Sequence, residues 1–212
     1  YLSVSAGYPS FPLAGPRLDD TAELPEGNKT VSTRSRLRFR SDAADFFRIG
    51  SDPGIGSSPR LRGIVLHEIL SKVNVPSDLE GAVRQAMIAG DLDKEDAEGY
   101  FGMLSDLIKG VSPRGWFPTD PTLVSNESSI IDLEGKVYRP DRVVKAGGRL
   151  IIIDYKFVED IEASRRSSEC HYKGQVSGYM NLYRQMGWKS VSGAIWYISL
   201  SEKGKSHVTE IG

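Results

Sequence analysis

Two apolar stretches meet at a pair of glycines, Gly147-Gly148, and this junction constrains the fold more than any other part of the 212-residue chain. Residues 136–146 and 149–158 both read as strands, the second through Leu150, Ile151, Ile152 and Ile153. Adjacent glycines can both take positive φ, which a two-residue hairpin turn requires. Pairing from that turn sets Ala146 opposite Arg149 and Asp141 opposite Asp154. Like charges so placed destabilise a sheet, and a divalent cation is the natural compensation. Strand alternation puts Lys156 on the face of Asp154. Two carboxylates and an ammonium on one face can hold a metal, a phosphate and an attacking water. The plainer alternative is a surface ion pair on an edge strand.

Pro140 marks an edge or a bulge. It lies beyond the Asp141–Asp154 pair as counted from the turn, so that pairing survives it. A second turn at Glu134-Gly135 joins residues 123–133 to 136–146. It sets Ser128 opposite Asp141. Glu127 then needs a bulge to reach the same place, for which Pro140 is the candidate.

The remaining pattern frames this meander. Residues 1–33, rich in Pro, Gly, Ser and Thr, read as an irregular arm. A short strand at 36–40 and a short helix at 42–49 follow, then a loop at 52–59. Helices are expected at 61–73, at 79–89 and at 94–109, the last burying Tyr100, Phe101, Leu104 and Leu107. Residues 110–121 and 159–169 read as loops, 171–186 as a helix, and 191–200 and 206–211 as strands. The expectation is an arm over residues 1–59 and an α/β domain over 60–212, a mixed sheet flanked by helices.

Composition narrows the function classes. Hydrophobic residues at 39% and charged residues at 26% suit a globular protein, and no apolar run reaches the length of a membrane helix. The chain opens on Tyr1 without a signal peptide, which suggests a piece of a longer protein. Its one cysteine, Cys170, excludes an internal disulfide, a multi-thiolate zinc site and an iron–sulfur cluster, and points to a reducing, cytoplasmic compartment. Gly204-Lys205-Ser206 lacks the earlier glycine of a phosphate-binding loop, so no ATP site is expected. Net charge is −1, yet residues 34–62 hold seven arginines against three aspartates. Arg36, Arg38, Arg40, Arg60 and Arg62, with Arg165-Arg166 in the later loop, are candidate phosphate contacts. A solvated surface explains the same charges.

Pro140-Asp141, twelve residues, then Asp154-Tyr155-Lys156 resembles the PD-(D/E)xK nuclease signature. Gly63-Ile64-Val65-Leu66-His67 resembles the GxxxH segment of RecB-like members, and Gln175 with Tyr179 their QxxxY helix. The similarity spans roughly residues 60–186 and extends to the nuclease domains of RecB- and AddA-type helicase–nucleases. It implies a restriction-endonuclease-like core and exonuclease-type hydrolysis of DNA in double-strand-break repair and recombination. It further implies a metal held by His67, Asp141, Asp154 and the backbone carbonyl of Tyr155. An N/O set of this kind suits Mg²⁺ or Mn²⁺. Lys156 would act on the attacking water and the phosphate charge. Glu127, Gln175 and Tyr179 would be auxiliary, the last two sharing a helix face. The implied partners are single-stranded DNA ends, helicase modules of the parent chain and a partner subunit, with no membrane. An inactive strand-guiding module of the same fold and a stand-alone restriction-like nuclease are the alternatives. Gly63 sits one turn before His67 and costs its helix about 1 kcal/mol relative to alanine. That cost makes sense if the helix must pass close to the sheet.

Overall fold

The structure, a computed structural model, describes residues 58–212. The expected strand at 36–40, the helix at 42–49, and Arg36, Arg38 and Arg40 lie outside the described residues. Three helices come first: α1 (Pro59–Ser71), α2 (Leu79–Ala89) and α3 (Lys94–Gly110). Strands β1 (Val124–Asn126), β2 (Ile130–Ile131), β3 (Val137–Tyr138), β4 (Arg142–Ala146) and β5 (Arg149–Val158) follow. Helix α4 (Ile161–Gln185) leads to β6 (Ser190–Ser199) and β7 (Ser206–Ile211). Among the described residues no helix is long and apolar enough to cross a membrane.

The main sheet has five strands in the order β1-β4-β5-β6-β7. Every pairing is antiparallel except β5 with β6. A parallel pair needs a long crossover, and α4 is that crossover. The sheet therefore buries both faces. On one, α1, α2 and α3 pack Leu66, Ile69, Leu104 and Leu107 against Val144, Ile153, Tyr155, Phe157 and Trp196. On the other, Val176, Tyr179, Met180 and Tyr183 of α4 cover Val143, Leu150, Ile152, Ile195 and Tyr197. Burial on both sides explains why β5 reads as a continuous apolar run instead of an alternating one.

The β4–β5 hairpin is as expected. Gly147 and Gly148 have φ of 58° and 74°, and Arg142 faces Ile153 while Ala146 faces Arg149. The preceding hairpin departs from expectation. Each of its arms is broken, into β1 and β2 on one side and β3 and β4 on the other. Its turn holds three residues, 133–135, closed by the Asp132 N–H donating to the Lys136 carbonyl. Asp132 Oδ1 accepts from the N–H groups of Glu134 and Lys136, and Gly135 takes the left-handed position at φ 83°. A three-residue loop ending in a left-handed glycine is a standard hairpin solution. The extra turn residue shifts the register by one, so Asn126 faces Arg142 and no bulge at Pro140 is required.

Two further expectations are corrected. Residues 161–169 are helix, not loop, so Arg165 and Arg166 belong to the first turns of α4. Asp160 caps that helix by accepting from the Ala163 N–H, and Glu162, Arg165, Glu169 and Lys173 pair along its surface. Polar composition hid a helix whose spacing already matched its charges. Phe101 is 40% exposed; α3 buries Ala97, Met103, Leu104, Leu107 and Ile108 instead.

Helix α4 closes onto β6 at Gly193. A Cβ there would lie 2.5 Å from Val176 Cγ1 and 2.8 Å from Met180 Sδ. Gly193→Ala is expected to destabilise the protein by about 1–3 kcal/mol through overpacking. Gly102→Ala, on the exposed side of α3 with nothing within 4 Å of the new carbon, should stabilise it by up to about 1 kcal/mol. Urea unfolding of the two variants reads both signs.

Candidate active site

The site forms where β1 and β4 stop running as a ladder. Asn126 is the last paired residue of β1. Glu127, next along, has φ 49°, the one positive φ outside glycine among the described residues. Such a conformation is rare for a residue with a long side chain. Its N–H still donates to the Asp141 carbonyl at 3.0 Å. Glu127 therefore stands beside Asp141 through the corrected register, without the bulge that sequence reasoning demanded.

Asp141 and Asp154 are 3% and 2% exposed. Asp141 Oδ2 accepts the Tyr155 N–H at 2.8 Å and lies 3.1 Å from His67 Nε2. The other imidazole nitrogen, Nδ1, is 3.5 Å from Glu127 Oε1. His67 thus stands between two carboxylates from two different segments. Its ring also meets Tyr155 edge-on at 5.9 Å. Tyr155 faces the α1 side of the sheet while its neighbours Asp154 and Lys156 face the α4 side, as the pleat dictates.

On that second side Lys156 Nζ is 2.8 Å from Asp154 Oδ2 and 4.4 Å from the centre of the Tyr172 ring. Burial pushes the Asp154 carboxyl above its ordinary range; the Lys156 ammonium opposes this and the Asp141 charge adds to it. Burial alone would pull Lys156 down, but Asp154 and Asp141 outweigh it and hold the ammonium above its usual value. Burial likewise pushes the Tyr155 hydroxyl up to about 12. The cluster is one electrostatic unit: two carboxylates share a lysine on one side and a histidine on the other.

Gln175 Nε2 donates to the Tyr179 hydroxyl at 2.8 Å, one turn apart on α4. Tyr179 in turn meets Tyr138 of β3 edge-on at 6.3 Å, tying the small β2–β3 hairpin to the helix. Among the candidate phosphate contacts, Arg166 is exposed, while Arg165 is 27% exposed and engaged with Glu162 and Glu169. Arg60 and Arg62 sit half-buried at the start of α1.

The donors suit a hard divalent cation: one imidazole and two carboxylates, with no thiolate. Asp154 Oδ2 is buried, with the Lys156 ammonium 2.8 Å away. These donors are nonetheless turned toward His67 and Lys156. Among the described residues no three His, Cys, Asp or Glu side chains form a ready-made metal cage. Fitting a cation would require the His67–Asp141 and Lys156–Asp154 pairs to open.

Three participants were not singled out from the sequence. The Tyr172 ring lies under the Lys156 ammonium. Arg142, next to Asp141, is 0% exposed, and Asn126 bonds to the end of α1. A signal for Arg142 was available: it shares parity with Val144, a core position, and an arginine on a core parity needs a buried purpose.

Gly63 is where α1 approaches the sheet. A Cβ there would lie 3.3 Å from the Phe157 Cβ. Gly63→Val is expected to lower stability by about 1–3 kcal/mol and to alter the imidazole NMR signals of His67, since the whole helix must shift. Gly81→Ala on α2, where nothing lies within 4 Å, should leave the His67 signals unchanged.

The family profile described as "PD-(D/E)XK nuclease superfamily" matches residues 34–211. The solved structure titled "Crystal structure of SSO0001" is similar at 18% identity and a TM-score of 0.31, over 68% of this chain and 65% of that one. No curated protein matches the chain. The family match covers most of the sequence, including every strand of the main sheet, and the chain belongs to the PD-(D/E)XK nuclease superfamily.

Proposed function

We propose that this chain is a RecB-like nuclease domain that hydrolyses DNA phosphodiester bonds with Mg²⁺ or Mn²⁺. The observation that carries the proposal is the buried Asp141–Asp154 pair, flanked by His67 on α1 and Lys156 on β5. Two buried carboxylates are costly to hold together, and beside an imidazole and an ammonium they make a donor set that suits a hard divalent cation. His67 on a helix that precedes the sheet supports the RecB-like assignment within the superfamily. His67, Asp141, Asp154 and the Tyr155 carbonyl would hold the ion. Once bound, the ion supplies Lewis acidity and a water of lowered pKa.

The remaining steps belong to the side chains. Lys156 is charged and held beside Asp154, so it offers an ammonium to the oxygen on which negative charge develops. Tyr172 keeps that ammonium over its ring, which limits where Nζ can go. Glu127 aligns the imidazole through Nδ1, leaving Nε2 aimed at Asp141. Gln175 and Tyr179 hold one another on the helix above the site. Arg60, Arg62, Arg165 and Arg166 would meet the phosphates without reading bases. Exonuclease-type action on single-stranded ends fits a chain fed by helicase modules of a longer parent, in cytoplasmic break repair and recombination.

A second reading is an inactive module of the same fold that guides a strand. The closed His67–Asp141 and Lys156–Asp154 pairs favour it, because both carboxylates already have protein partners without a metal. End-labelled single- and double-stranded DNA, incubated with the full chain and Mn²⁺ or Mg²⁺, separates the two. Cleavage that stops with chelator is expected. Asp154→Ala should abolish it, and Lys156→Ala should reduce kcat by about 100- to 1,000-fold, with circular dichroism unchanged. Binding without cleavage under every metal would establish the guiding module. Arg166→Ala should weaken DNA binding for all sequences alike and lower the salt slope by about one; an unchanged slope would remove Arg166 from the DNA path.

A further inference from the structure

We infer that Arg142 and Asn126 form a positioning hub that sets the distance between the three segments carrying His67, Glu127 and Asp141. The inference rests on the metal-site reading above and extends it to residues outside the ligand set. Arg142 follows Asp141 directly, and Asn126 precedes Glu127 directly. The two face one another across the β1–β4 ladder. Any movement of either side chain is therefore transmitted to a site residue through a single peptide bond.

The Arg142 guanidinium is fully buried and spans four acceptors. Its Nε donates to the Trp116 carbonyl at 2.7 Å and its Nη2 to the Asn74 carbonyl at 2.7 Å. Its Nη1 donates to the Val73 carbonyl at 2.6 Å and to Asn126 Oδ1 at 3.3 Å. The Phe117 ring lies 3.9 Å from the guanidinium carbon. Asn126 Nδ2 reaches the Ser71 carbonyl at 3.0 Å, the Val73 carbonyl at 3.2 Å and Asn74 Oδ1 at 3.0 Å. Ser71 ends α1, the helix that carries His67 one turn earlier.

Two physical consequences follow. The last carbonyls of a helix lack partners within it and carry partial negative charge. Asn126 satisfies the Ser71 carbonyl at the end of α1, and Arg142 takes the Val73 and Asn74 carbonyls just beyond it, so the two side chains lock the end of α1 to β1 and β4. The same contacts fix how far His67 stands from Asp141 and Glu127. No acidic side chain pairs with Arg142 in the hydrogen bonds it makes; backbone carbonyls and one amide oxygen take its donors. The N–H groups of Arg142 thus hold backbone and amide oxygens in place and fix geometry. Arg142 and Asn126 are positioning residues and touch no substrate.

The test compares Asn126→Ala and Arg142→Lys with Val191→Ala in the full chain. Val191 is a buried residue paired with Leu150, at the far end of β5 from Asp154, and serves as a destabilised control. Mn²⁺ affinity is read by titration calorimetry, and His67 imidazole signals by NMR in metal-free protein. Asn126→Ala is expected to weaken Mn²⁺ binding about tenfold or more, to lower kcat with KM for DNA held, and to shift the His67 signals. Val191→Ala should lower the melting temperature and leave all three readouts unchanged. Arg142→Lys, if folded by circular dichroism, should behave as Asn126→Ala does; if it does not fold, Asn126→Ala decides alone. Wild-type Mn²⁺ affinity and unshifted His67 signals in a folded Asn126→Ala would overturn the hub. An equal loss in Val191→Ala would overturn it as well, by assigning the effect to general destabilisation. Failure of the wild type to bind Mn²⁺ would remove the proposed function instead, and the hub would then stand or fall on the metal-free His67 signals.

Discussion

Asp141 and Asp154 bring two negative charges onto neighbouring strands where water barely reaches, and their surroundings are arranged around that repulsion. Placing a carboxylate in such a setting is expensive unless cations and donors surround it. Here Lys156 meets Asp154, His67 and the Tyr155 N–H meet Asp141, and the two carboxylates hold the lysine charged. Each partner comes from a different level of the fold. Lys156 and Tyr155 are strand neighbours of Asp154, whereas His67 arrives on a helix from the opposite face. The sheet alone could assemble half of the cluster; the other half needs α1 docked against it.

That docking depends on two close approaches. Gly63 lets the start of α1 lie against Phe157, and the Arg142–Asn126 contacts hold the end of the same helix. Between them sits His67. A helix pinned at both ends is a stiff support for an imidazole, and stiffness of this kind holds a side chain in one geometry. The broken hairpin serves the same end. Had β1–β2 and β3–β4 run on as two continuous strands, Glu127 would have faced along a pleat. The turn of the chain at Glu127 sends its carboxylate to His67 instead. Rare backbone conformations persist where surrounding contacts over-determine them.

Much of this was legible in the residues. Gly147-Gly148 determined the register of β4 and β5, because two residues of positive φ close only a narrow set of turns. The Asp141–Asp154 apposition and the side of Lys156 follow from that register and the pleat. The Glu134-Gly135 turn misled for a local reason. Asp132 closes the loop one residue earlier through its own carboxylate, and the length of a turn that a side chain closes is not written in its glycine. The start of α4 was hidden in the same way. Its first ten residues are mostly polar, and the spacing of Glu162, Arg165, Glu169 and Lys173 betrays the helix.

The sequence by itself determined the local geometry: which residues pair across the glycine turn, which alternate, which lie a helical turn apart. Short-range sterics and hydrogen-bond periodicity settle those relations within a dozen residues. Only the tertiary structure decided that His67 meets Asp141 and Glu127, and that Arg142 turns inward to the end of α1. Seventy-odd residues separate His67 from Asp141, and their meeting depends on how two helix–sheet interfaces pack. Packing is set by the summed fit of many side chains, which no short pattern of residues encodes.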